Sequence, residues 1–175
     1  MQDFKKLRVW HLAHELSIDV VKALPESAAR RVPGLRGQAI RAATSVPWNI
    51  AEGCGQGSRP AFLHHLEHAL SSVNELEAEL MVGQEAEILS HQTFSELAKK
   101  IELVRRMLVS LIQTLERRIA EDEERERKEK RLEDGQVDDQ QPGTVERKRR
   151  KRRKGSSTCD VSVVAVEHAP YGSRP

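Results

Sequence analysis

Cysteine is nearly absent from this chain. Cys54 and Cys159 are the two in 175 residues, too few and too unlike in context for a disulfide framework. No apolar run approaches the length that spans a bilayer, so a helical membrane protein is not expected. No N-terminal segment has the form of a signal peptide, because Lys5, Lys6 and Arg8 lead into an amphipathic stretch rather than a solidly apolar one. A reducing, cytoplasmic setting with no membrane partner is therefore the expectation. Strand signals are missing from residues 1–120, where β-branched residues occur singly within helical periods. Catalytic signals are missing as well. No nucleophile, base and orienting group come together, and Gly-Cys-Gly-Gln-Gly at 53–57 has the wrong spacing for a dinucleotide loop and follows no strand. The chain is not expected to be an enzyme, and no cofactor is implied.

Charge is what the chain has in quantity. Asp, Glu, Lys and Arg make up 32% of it, against 38% apolar residues, and a net charge of +2 conceals a segregated pattern. Residues 1–60 carry nine basic and five acidic groups, residues 61–120 six and nine. A dipolar domain of this kind can present a basic face to phosphate or pair its own subunits, and the sign count leaves both open.

Four helical periods follow in order. Val9, Trp10, Ala13, Leu16, Val20 and Leu24 share a face of a helix from about Leu7 to Leu24, closed by Pro25 and by Pro33-Gly34. Arg30 and Arg31 fall in the connection and are read as solvated. Leu35, Ala39, Ala42, Val46 and Ile50, with Ala43, line a second helix whose small residues invite a close neighbour. Pro47 should kink it or mark a defect, and Gly53, Gly55 and Gly57 should end it in a left-handed conformation. Phe62, Leu66, Ala69, Val73, Leu76 and Leu80 define a third helix, with Ser58 as N-cap, Pro60 in its first turn and an end near Leu89. Leu97, Ile101, Val104, Leu108, Leu111 and Leu115 define a fourth. The expected fold is all-α, an up-down-up-down four-helix bundle over residues 1–120.

Beyond Ala120 the apolar stripe stops. Residues 121–134 keep many i,i+4 opposite-charge pairs, each adding about 0.2–0.5 kcal/mol, and are read as a charged, fraying extension of the last helix. Residues 135–175 are read as a disordered tail. It contains eight consecutive cations: Arg147, Lys148, Arg149, Arg150, Lys151, Arg152, Arg153 and Lys154. Such a block attracts polyanions with steep salt dependence. The alternatives are a solubilising tail or a nuclear-localisation patch.

Several residues stand outside the core pattern. His64, His65 and His68 have ligand-compatible spacing, but no Glu-x-x-His occurs, and the helical phase turns His64 and His68 away from the apolar stripe. A surface histidine cluster, rather than a metal site, is the reading; His11 and His14 are read the same way. Glu75 faces outward, whereas Glu77 lies at the edge of the inward face and should find an arginine or backbone N–H. Trp48 falls nearly opposite the core, either as an interface contact or as a ring folded over neighbouring alanines, and the interface is preferred. Leu63, Leu70 and Met81 form a second apolar edge, with Leu12 off the main stripe of the first helix. This is more apolar surface than one core needs, which suggests a homo-oligomer.

Phe4-Lys-Lys-Leu-Arg-Val-Trp10, Gln38-x-x-Arg41-Ala-Ala43, Ser45-Val-Pro-x-Asn49-Ile-Ala-Glu-Gly53, Phe62 and Ser72-x-x-Glu75-Leu-Glu77 together carry a resemblance. Over about residues 3–117 the chain resembles the bacterial four-helix-bundle family encoded by intervening sequences in large-subunit ribosomal RNA genes. A related branch is the accessory protein of diversity-generating retroelements. The resemblance implies a ring, as a pentamer, with a basic surface for RNA or DNA and association with a ribosome or a reverse transcriptase; it implies no catalytic residues. Arg41 matches the family's basic position on the second helix. Lys5, Lys6, Arg8 and Arg36 are basic candidates without an inherited role. The sequence departs from the family at Trp48, where a small residue is usual, and at 121–175, beyond the family's usual end.

Overall fold

The computed structural model describes residues 3–135. A 3-10 turn over Phe4–Lys6 leads into α1 (Arg8–Ala23), a single turn α2 (Ala28–Arg31), α3 (Leu35–Gly55), α4 (Arg59–Glu85) and α5 (His91–Gly135). No strand occurs among the described residues. The tail read as disordered, with its cationic run, lies outside the described residues.

Local chemistry sets the helix ends. The Ser58 hydroxyl accepts the Ala61 N–H at 3.4 Å with Pro60 in the first turn of α4, and the Ser90 hydroxyl accepts the Thr93 N–H at 3.1 Å at the start of α5. Gly34, at φ +89°, supplies the left-handed residue before α3. α4 stops at Glu85, four residues before the expected Leu89. There the Ile88 N–H reaches the Gly83 carbonyl and the Glu87 N–H that of Gln84, both at 2.9 Å, which is a Schellman motif. Glu87 occupies its left-handed position at φ +55°, where the sequence shows no glycine to betray the turn.

The four long helices form a closed square. α1 packs on α3 and α5, and α4 packs on α3 and α5, with the α3–α4 contact the most extensive. The expected up-down-up-down bundle is the observed one. Every residue assigned to the inward stripes is buried except Trp10, which is half-buried against the core. Phe62, Leu66, Val73, Leu76 and Leu80 on α4 are fully enclosed, each worth about 1.5–3 kcal/mol of transfer free energy.

α3 is one continuous helix of 21 residues, with the Pro47 ring buried inside it. Side-chain donors gather around it: Thr44 Oγ1 reaches the Ile40 carbonyl at 2.9 Å, and Asn49 Nδ2 reaches that of Ser45 at 2.9 Å. The helix ends at Gly55, inside the glycine cluster as expected, but not in a left-handed turn: among the described glycines only Gly34 has positive φ. Gly53 serves close approach instead. A Cβ there would sit 2.7 Å from Phe62 Cδ2 and 2.9 Å from His65 Cβ.

Antiparallel order places the start of α1, the end of α3, the start of α4 and the Ala120 region of α5 at one end of the bundle. Arg59 at the start of α4 pairs there with Asp122 of α5. At the opposite end Arg31 of α2 meets Glu87, with Nη1 on its carbonyl at 3.0 Å. Arg30 and Arg31 are exposed as expected, and Arg31 makes this contact at the surface. α5 then continues as one helix through the charged stretch to Gly135.

Candidate nucleic-acid and oligomer surfaces

The bundle's basic candidates divide between its ends. Lys5 and Lys6 lie in the 3-10 turn and Arg8 opens α1, all three exposed. The Asp3 carboxylate beside them accepts the Lys5 N–H at 3.0 Å. Lys6 and Arg8 have no ion pair among the described residues, and Lys5 Nζ lies 5.9 Å from the centre of the Phe4 ring. Next to these cations is an aromatic group: Phe4 lies against Trp10 with centroids 4.8 Å apart, and His14 stacks on Trp10 at 5.2 Å, nearly parallel. This is also the end where α5 leaves the bundle, and the cationic run 147–154 follows α5 in the sequence.

Arg36 and Arg41 lie elsewhere, on the first half of α3. Arg36 Nε donates to the Leu24 carbonyl at 3.0 Å and so closes the end of α1. Its guanidinium is half-buried in a structural contact. Arg41 is exposed as expected, donating to Gln38 Oε1 at 3.1 Å and lying 3.9 Å from Glu75. These five residues therefore do not make one patch.

Several other cations of the bundle are neutralised by acids. Arg105 holds Glu77 and, at 3.0 Å, Glu102, so Glu77 has the arginine partner expected of it. Lys100 bridges α5 to α1 through Glu15 at 2.6 Å and through Asp19. Burial pulls the Lys100 pKa down, but hydrogen bonds and charge from Asp19 and Glu15 outweigh it, and the net shift is upward.

Trp48 is 71% exposed on α3, so the indole is not folded into the core. Of the second apolar edge, Met81 is 48% exposed, while Leu63 and Leu70 are half-buried against the core, as is Leu12. Sequence reasoning missed exposed Ile18 and Val21 on α1 and Val82 beside Met81. Their phase places them just off the stripes, which the wheel alone does not separate from a flank position. The histidines do form a surface cluster: His64 and His68 are exposed on α4, with Nε2 atoms 3.2 Å apart, and His65 lies 3.3 Å from Gln56 Nε2.

The chain matches the 23S rRNA-intervening sequence protein family over residues 5–110. It belongs to that family. The matched region takes in α1 to α4 and the core-forming part of α5 as far as Ser110. A solved structure of a protein with unknown function from the S23 ribosomal protein family, from Bacteroides thetaiotaomicron, superposes with a TM-score of 0.53 at 22% identity. It covers 59% of this chain and 97% of its own, and at that identity the likeness carries the fold alone. No match was found among curated proteins. Among the described residues, no helix is long and apolar enough to cross a membrane.

Proposed function

We propose that this chain is a non-enzymatic, cytoplasmic family member that assembles as a ring, a pentamer, and binds nucleic acid, RNA in preference to DNA. The supporting observation is the end of the bundle that carries Lys5, Lys6 and Arg8. Its cations are exposed beside the Phe4–Trp10–His14 aromatic group, and eight further cations follow α5 in the sequence. Exposed cations draw phosphate, and each phosphate contact steepens the salt dependence of binding by about one unit in the log–log slope. The family's description, which refers to 23S rRNA, favours RNA.

The test is fluorescence anisotropy of the full chain with a structured RNA across a salt series. Two full-length variants accompany it: Lys5→Gln/Lys6→Gln/Arg8→Gln, and one with residues 147–154 all changed to Gln. Both should bind more weakly with a shallower salt slope. No binding by the unaltered chain at moderate salt defeats the reading, and loss in the second variant alone moves the function out of the bundle.

Exposed Trp48 favours a second reading, a protein-interaction module with no nucleic-acid role. Light scattering addresses the ring in either case. A mass of five chains that falls in Trp48→Ala supports it, and a mass of one chain for the unaltered protein removes it.

A further inference from the structure

His64 and His68 stand one helical turn apart on the outward side of α4, both exposed. Their Nε2 atoms are 3.2 Å apart, the ring centroids 4.5 Å apart and the planes at 82°. One neutral imidazole can donate its Nε2–H to the lone pair of the other, which makes the contact a single hydrogen bond. The same separation is the bite of a chelate. Two imidazole nitrogens about 2.0–2.1 Å from a zinc ion and 3.2 Å from each other subtend roughly 100° at the metal, between the octahedral and tetrahedral values. An i,i+4 histidine pair on one helix face is the arrangement that helical zinc sites employ. Glu67 Oε2 lies 3.9 Å from His64 Nδ1, on the ring edge where a carboxylate orients a ligating imidazole and raises its basicity.

We propose that His64 and His68 form an open, two-nitrogen site for a divalent late transition metal, Zn²⁺, Ni²⁺ or Cu²⁺, with water in the remaining positions. Among the described residues no group of three His, Cys, Asp or Glu side chains is placed to hold a metal. The site is accordingly a surface chelate, not a closed structural centre, and the fold does not depend on it. It differs from the core metal site that the sequence argues against, because both rings point outward. The Ser45–Ser72 hydrogen bond sets the α3–α4 register, and that register puts Trp48 level with His68. A bound ion would therefore lie on the same outer surface as the exposed indole.

Isothermal titration of the full chain with NiCl₂ and ZnCl₂ tests this. One ion should bind per chain. Affinity should rise in the order Co²⁺, Ni²⁺, Cu²⁺. His64→Gln and His68→Gln should each weaken binding by about tenfold or more with the melting temperature unchanged. His11→Gln/His14→Gln should leave binding intact, and the Cu²⁺ electron paramagnetic resonance spectrum should show two nitrogen donors. Equal binding by the unaltered chain and the His64→Gln/His68→Gln variant overturns the proposal. So does loss of binding in the His11/His14 variant. Equal binding by the His64→Gln/His68→Gln variant leaves the RNA reading untouched, because that reading rests on Lys5, Lys6, Arg8 and the Phe4–Trp10–His14 group.

Discussion

α3 and the outer part of α5 are opposites. α3 contains Pro47 and Gly37, Gly53 and Gly55, residues that weaken a helix interior by about 3 kcal/mol for proline and about 1 kcal/mol for each glycine. It nevertheless runs unbroken, because Leu35, Ala39, Ala42, Ala43, Val46 and Ile50 are all buried. Beyond Ala120, α5 is built of good helix formers with pairs such as Arg125–Glu129 and Lys128–Glu124, yet it buries almost nothing. Each pair contributes only about 0.2–0.5 kcal/mol. The extension persists as the continuation of a helix that the core has already nucleated. Packing, not propensity, decides which of the two is firmly held.

The contrast can be broken most severely from the α3–α4 side. Phe62→Ala empties the space against Gly53 and should destabilise the protein by about 3–5 kcal/mol in urea unfolding. Gly53→Ala should cost about 1–3 kcal/mol in the same measurement, since its Cβ would meet the Phe62 ring and His65 Cβ. An unchanged midpoint for Gly53→Ala would mean that close approach does not hold α3.

On the α5 side one residue sharpens the boundary. Asp122 pairs with Arg59, whose side chain is only 19% exposed and whose Nε has no partner. Asp122→Ala should therefore cost about 1.5 kcal/mol, more than any other single charge removed beyond Ala120. Equal effects along the extension would place the end of the bundle before Asp122.

Lys100→Gln should cost less, under about 1 kcal/mol, because its side chain is 38% exposed and solvent screens the pair. Its pKa is raised in the folded chain, so the stabilisation is complete below the unfolded value of 10.5 and is lost as pH rises through the folded one. The difference between the two proteins should shrink as pH rises above 10.5. The smallest effect belongs to Glu124, which is fully exposed and has its pKa lowered by hydrogen bonding and charge from Lys128. Its support of the extension is present above 4.5 and lost as pH falls through the depressed folded value, so far-UV circular dichroism should show slight acid fraying that Lys128→Gln removes.

Much of the bundle was legible because its signals are local and periodic. The stripe from Phe62 to Leu80 follows from steps of three and four, and Ser58 with Pro60 announces a helix start within three residues. The end of α4 was not legible, because Glu87 takes a left-handed conformation that glycine usually marks. Of the candidate surface, the outward direction of Trp48 and Arg41 could be read from phase. The half-burial of Leu63, Leu70 and Arg36 could not, since it depends on what lies opposite them.

By itself, then, the sequence determined an all-helical chain with four amphipathic faces, a charged extension and a separate block of cations. Burial period and charge pattern are properties of neighbours along the chain. Only the tertiary structure decided that Pro47 is accommodated, that Gly53 admits Phe62, that Asp122 belongs to the bundle and that the basic candidates fall at opposite ends. It also decided that the His64 and His68 rings meet at chelating distance. Each of these depends on the rotamer or position of a group that linear spacing does not specify, and packing across helices does.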